Sequence, residues 1–110
     1  MEVLLVLSTF PNMEAARQTA TALVESQLAA CVNLCPAVQS IYRWQGKVES
    51  AEEVLALIKT TRAAYPALEA RLKTLHPYDV PEIIALPVER GLDAYLQWVS
   101  ASCERVEQPV

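Results

Sequence analysis

Apolar positions along the chain follow two different periods, and the places where one gives way to the other mark the elements. From Glu2 to Thr9 they run almost unbroken, rich in Val and Leu, which predicts a strand covered on both faces. Pro11 and Asn12 close that run, and Asn12 suits the N-cap of a following helix. From Met13 to Ala30 the apolar positions Met13, Ala16, Ala20, Leu23, Val24 and Leu28 recur at helical spacing. Cys31 to Trp44 is β-branched and aromatic but interrupted by Pro36, so it reads as one bent strand or two short ones. Gln45 and Gly46 form a turn, and Lys47 to Arg62 returns. Val54, Ala56, Ile58 and Thr60 share one face of that return strand, and Leu55, Leu57, Lys59 and Thr61 share the other. A second helix spans about Ala64 to Leu75, with Pro66 in its first turn. Pro77 stops it, because the residue before a proline is pushed out of the helical region. Glu82 to Val88 is another apolar strand, Gly91 a turn, and Leu92, Tyr95, Leu96, Val99 and Cys103 mark a closing amphipathic helix. The polar end, residues 105–110, is expected to fray.

The order strand-helix-strand-strand-helix-strand, plus one helix, predicts an α+β fold in a single domain over residues 1–110. Two split crossovers around a long hairpin give a ferredoxin-like sandwich, a mainly antiparallel sheet with both crossover helices on one face. Helices then cover one face, yet the strands are apolar on both. The second face must be covered by the closing helix, a neighbouring subunit, or both. Trp98 lies roughly 110° from the centre of the closing helix's apolar stripe at 100° per residue, which points to a second contact surface. With Tyr42 and Trp44 on the hairpin, a homo-oligomer joined through sheet faces or hairpin edges is expected.

Composition narrows the function classes. At 53% hydrophobic residues, the chain has ample material for a core. The net charge is −4 and no basic run is present, so nucleic acid is not an expected partner. No segment approaches the ~18 apolar residues that span a bilayer, and the apolar start lacks the basic region of a signal peptide. Cys31, Cys35 and Cys103 are odd in number. Cys31 and Cys35 stand roughly 13 Å apart on an extended strand, too far to bridge, so reduced thiols in the cytoplasm fit best.

Chemistry concentrates in LHPYDVPEII, Leu75 to Ile84, which holds the single histidine between two prolines. His76 can be a helix-end histidine serving the last carbonyls, or a ligand with Tyr78, Asp79 and Glu82 beside it. A local tetrahedral zinc motif is not complete there. Lys59 interrupts the Leu55–Leu57 face. It either snorkels to solvent or grips an anion in a partly buried cleft, paired with a carboxylate such as Glu82. Tyr42, Trp44, Tyr95 and Trp98 read more readily as packing residues than as ligand platforms, and Glu49, Glu52 and Glu53 as a solvated hairpin tip. With two glycines in the whole chain there is no Gly-rich phosphate loop, and nothing positions a Cys–His nucleophile.

The blocks ESQLAACVNLCP (25–36), SIYRWQGKVE (40–49), IKTT (58–61), LHPYDVPEIIALPV (75–88) and YLQWV (95–99) together resemble the CutA family of divalent-cation tolerance proteins, over essentially the whole chain. The resemblance implies a non-enzymatic, cytoplasmic homotrimer built like the PII signalling proteins, linked to tolerance of divalent metals, copper above all. It further implies an inter-subunit cleft near His76, Tyr78 and Glu82, with Lys59, Tyr42, Trp44, Tyr95 and Trp98 as neighbours. Copper would be held by His76 with Glu82 or Asp79, since imidazole suits Cu(II). The alternatives are a PII-like sensor holding a small anion through Lys59, or a structural trimer with a protein partner. Two positions depart from the family's pattern: Ser8 stands where a cysteine is common, and Leu92 where an asparagine is common.

Overall fold

A computed structural model describes residues 2–104, so the frayed tail expected at 105–110 lies outside the described residues. The elements are β1 (Val3–Phe10), α1 (Met13–Glu25), β2 (Cys31–Trp44), β3 (Lys47–Thr61), α2 (Tyr65–Leu75), β4 (Ile84–Pro87) and α3 (Asp93–Ser102). The four strands form one antiparallel sheet in the order β2-β3-β1-β4. Each crossover helix thus links two strands with a third lying between them, the ferredoxin-like arrangement.

Alternation decides which side chains meet the helices. Val6, Ser8 and Phe10 of β1 and Val54, Ala56, Ile58 and Thr60 of β3 are buried, and most of them pack with Ala16 and Leu23 of α1 and Leu68 and Leu72 of α2 in the main core. Leu5, Leu7, Leu55 and Leu57 point the other way and are half-buried, while Ile84 and Leu86 on β4 remain 50% and 47% exposed. α3 closes the Val3–Thr61 end of the sheet, with Val99 fully buried against Val3, Ala30 and Ala64. It leaves the rest of the second face uncovered.

Local chemistry sets the element ends. Asn12 caps α1 as expected, its Oδ1 accepting the Ala15 N–H at 2.8 Å. The helix stops at Glu25, five residues earlier than the spacing predicted. Gln27 turns left-handed at φ 61°, and the Leu28 and Ala29 N–H groups fold back onto the Leu23 carbonyl. Leu28 is buried by that turn, which is why it mimicked helical spacing. Pro36 does not split β2 in two. It sits beside Ala37, at φ 60°, in a bulge between Cys35 and Val38.

Candidate functional site

The bulge is the first step in building the site. Cys35 pairs with Leu55 and Val38 with Glu53, so β2 spends one extra residue there and its alternation changes parity. Ser40, Tyr42 and Trp44 are thereby turned to the same face as Cys31, Asn33 and Cys35, opposite Ala51, Glu49 and Lys47 of β3. Beyond Val54, β3 has no partner on β1. The far half of the hairpin therefore projects past the end of β1, and the segment after α2 lies against that projection.

His76 holds this segment in place. It caps α2 in an extended conformation, its N–H donating to the Leu72 carbonyl at 2.9 Å, as its position before Pro77 requires. Its ring turns inward, 7% exposed, and stacks on Phe10 with centroids 4.4 Å apart. Nε2 lies 2.8 Å from the Thr9 carbonyl. A carbonyl only accepts, so Nε2 carries the proton. The Tyr78 N–H donates to Nδ1 at 3.1 Å, so Nδ1 is bare. The two bonds fix the neutral Nε2–H tautomer. Burial lowers the imidazole pKa, with the Thr9 hydrogen bond and the Glu53 charge opposing. To ligate a metal, this ring would have to give up one of its two bonds.

Tyr78 emerges from the same segment, its ring 4.9 Å from His76, and donates its phenol to Glu53 Oε2 at 2.7 Å. Burial, that hydrogen bond and the Glu53 charge together push its pKa well above the ordinary phenol value. Between the segment and the hairpin lies an open groove of about 920 Å³. Tyr42, Trp44, Glu49 and Glu53 wall it from the hairpin, and Tyr78, Asp79 and Glu82 from the segment. Its charged walls are four carboxylates. Among the described residues that line it, none is basic.

Five expected site residues thus meet at one groove: Tyr42, Trp44, Tyr78, Asp79 and Glu82, with His76 behind them. Lys59, Tyr95 and Trp98 do not join them within the chain. Lys59 lies six residues from Glu53, about 20 Å along the strand, and its ammonium donates to Asn33 Oδ1. Tyr95 places its hydroxyl 3.4 Å from Cys31 Sγ and its ring 5.6 Å from Trp98. Sequence reasoning missed Glu49, Glu53 and Thr9. Glu53 alternates with Leu55 and Leu57, which sets it on the second face of the sheet, beside Tyr42, rather than at a solvated tip.

A resident metal does not fit the residues of a single chain. Among the described residues no three His, Cys, Asp or Glu side chains converge on one point, and both His76 nitrogens are engaged. Cys31, Cys35 and Cys103 are free thiols. Ser8, at the position where a cysteine is common, is completely buried among the core residues, so a thiol there would not line the groove. Leu92 is 76% exposed and caps α3 without a side-chain hydrogen bond.

The fold and groove define a class: a small antiparallel α+β domain with an acidic, aromatic-walled groove and an uncovered apolar sheet face. A model of the CutA1 divalent ion tolerance protein family matches residues 4–102. The chain is 56% identical, over 86% of its length and 91% of the relative's, to the divalent-cation tolerance protein CutA of Thermus thermophilus. A solved structure of the Cut A1 protein from Thermus thermophilus superposes with a TM-score of 0.90 at 52% identity, covering 93% of this chain and 99% of that one. Another, described as the periplasmic divalent cation tolerance protein CutA from Archaeoglobus fulgidus, superposes at 0.89 with 36% identity, covering 93% and 99%. The chain belongs to the CutA1 divalent ion tolerance family. No helix among the described residues is long and apolar enough to cross a membrane.

Proposed function

We propose that the chain serves divalent-cation tolerance as a non-enzymatic, cytoplasmic homotrimer that binds cations, copper foremost, in the groove between the hairpin and residues 77–82. The observation that carries this reading is the sign of the groove: Glu49, Glu53, Asp79 and Glu82 face it, and no basic residue balances them among its described walls. Such a cavity concentrates cations and repels anions. His76 acts here as the latch that aims Tyr78, and the carboxylates are the cation-facing groups. The anion-sensing alternative draws only on Lys59, which sits at the other end of β3. Trimer formation is supported by the second sheet face, where Leu5, Leu7, Leu55 and Leu57 are half-buried in one subunit and Ile84 and Leu86 are half-exposed. A neighbouring copy covering that face removes this surface from water.

Calorimetric titration of Cu(II) tests the reading. Cys31→Ser and Cys35→Ser form the background, which removes the two partly exposed thiols. The Glu53→Gln, Glu82→Gln double variant on that background is expected to lose most of the heat. Equal binding by both proteins would dismiss the groove as the copper site.

A further inference from the structure

We infer that the copies of this chain are locked together by an ion pair between chains: Lys59 of one copy pairs with Glu82 of the next. The inference rests on the trimeric reading above and names the polar contact that orients the copies.

Within the apolar part of the second sheet face, Lys59 is the one charged side chain. It stands between Leu5 of β1 and Cys31 of β2 and follows Leu55 and Leu57 along β3. Its ammonium donates to the neutral amide of Asn33, and the only ion pair among the described residues joins Arg62 to Glu2. A half-buried lysine tolerates this arrangement while water reaches its head group. Once a copy covers the face, that water is lost, and a buried ammonium left without a counter-charge is strongly destabilising. The covering copy must therefore bring a carboxylate.

The groove poses the converse problem, because an apolar cover would strip water from four carboxylates that no basic residue balances among its described walls. Of these, Glu53 already accepts the Tyr78 phenol. Glu82 has no ion-pair partner among the described residues. It lies two residues before Ile84, where the groove borders the half-exposed Ile84 and Leu86 of the second face. Within one chain β1 separates β3, and so Lys59, from β4. The two charges meet only if they come from different copies.

Each charge also stands beside half-exposed aromatic rings. Tyr95 reaches Cys31, the residue across from Lys59, and packs near Trp98. Tyr42 and Trp44 wall the groove. Rings that close around the pair exclude water and strengthen it. The two patches differ, so the contact runs head to tail, and repeating it closes a ring in which every chain gives one ammonium and receives one. One ammonium against four carboxylates leaves the groove negative.

The test is a charge exchange on the full chain. Light scattering and sedimentation equilibrium follow dissociation on dilution for wild type, Lys59→Glu, Glu82→Lys and the double variant, all at one ionic strength. Each single reversal sets like charges together and is expected to weaken association at least about a hundredfold. The double variant restores an opposite-sign pair at every contact and is expected to recover most of that loss. A second measurement needs no charge reversal. A carbodiimide, which joins an amine to a carboxylate in contact with it, is expected to yield a peptide linking Lys59 to Glu82, with chain dimers and trimers on a denaturing gel that Lys59→Met removes. Single variants that associate like wild type, a double variant no better than the weaker single, or a cross-link from Lys59 to another residue would overturn the inference and leave the trimer standing. A wild-type protein of single-chain mass would remove both.

Discussion

Replacing His76 by alanine removes a latch made of three contacts, each with a size that can be assigned. The ring donates to the Thr9 carbonyl and accepts from the Tyr78 N–H, and each such bond contributes about 0.5–1.5 kcal/mol net. Its stack on Phe10 adds about 0.5–1.5 kcal/mol. Water can reach some of the freed backbone groups, so we expect a loss near the middle of the sum, about 2–4 kcal/mol. The effect depends on pH, with a defined sign. Burial puts the folded pKa of His76 below its ordinary value of about 6.5. Between the folded pKa and 6.5 the unfolded chain binds a proton that the folded chain does not. The contribution of His76 is therefore complete above about pH 6.5 and lost as pH falls toward the folded pKa. Protonated Nδ1 would also point a hydrogen at the Tyr78 N–H. Denaturant unfolding of wild type and His76→Ala, at one fixed subunit concentration, should show a gap in stability that is widest near neutral pH and narrows in acid. A gap that stays constant down to pH 5 would refute the tautomer and the latch together.

Three further outcomes follow from single side chains. Ser8 Oγ is buried with no hydrogen-bond partner among the described residues, so Ser8→Ala should raise stability by about 1–3 kcal/mol, seen as a higher melting temperature. Tyr78→Phe should cost about 1 kcal/mol for the lost bond to Glu53. An ultraviolet absorbance titration of that variant should lack one late-titrating phenol. Leu57→Glu places a charge in the middle of the second sheet face, beside Leu7. If copies assemble through that face, light scattering should report the 12.2 kDa subunit mass for the variant and three times that mass for wild type.

Element order, strand pairing and the two-sided apolar character of β1 and β3 were legible because alternation is a local signal that burial enforces. The end of α1 was not. Leu28 follows Leu23 closely enough to continue a helical stripe, and only the left-handed Gln27 shows that a turn, not another helical step, buries it. The resemblance placed Tyr42 and Trp44 at the cleft, but the residue pattern by itself did not, for a related reason. Simple alternation sets both on the opposite face from Cys31 and Cys35. One inserted residue at Pro36–Ala37 reverses that, and a parity change cannot be counted from periodicity alone. Within LHPYDVPEII the position of the site could be read, but the roles within it could not. His76 was legible as an unusual residue, and as either helix-end or ligand. Its hydrogen bond to Thr9, 67 positions away in sequence, decides for a residue that supports the site rather than one that faces it.

The groove's acidity has a plainer explanation that must be weighed against ligand binding. β3 from Lys47 to Glu53 extends beyond β1, and an unpaired strand edge invites unwanted pairing unless charges discourage it. Glu52 fits that role: it is exposed and lies opposite Gln39, on the face away from the groove. Edge protection, however, places no demand on which face the charges take, and none on what stands across the strand. Glu49 is paired with Tyr42, and Glu53 holds the Tyr78 phenol from a separate element. Asp79 and Glu82 come from a segment that belongs to no strand, so no edge of theirs needs guarding. A protective function accounts for charge along the hairpin. It does not account for carboxylates from two elements meeting over aromatic rings, and that convergence is what a cation would recognise.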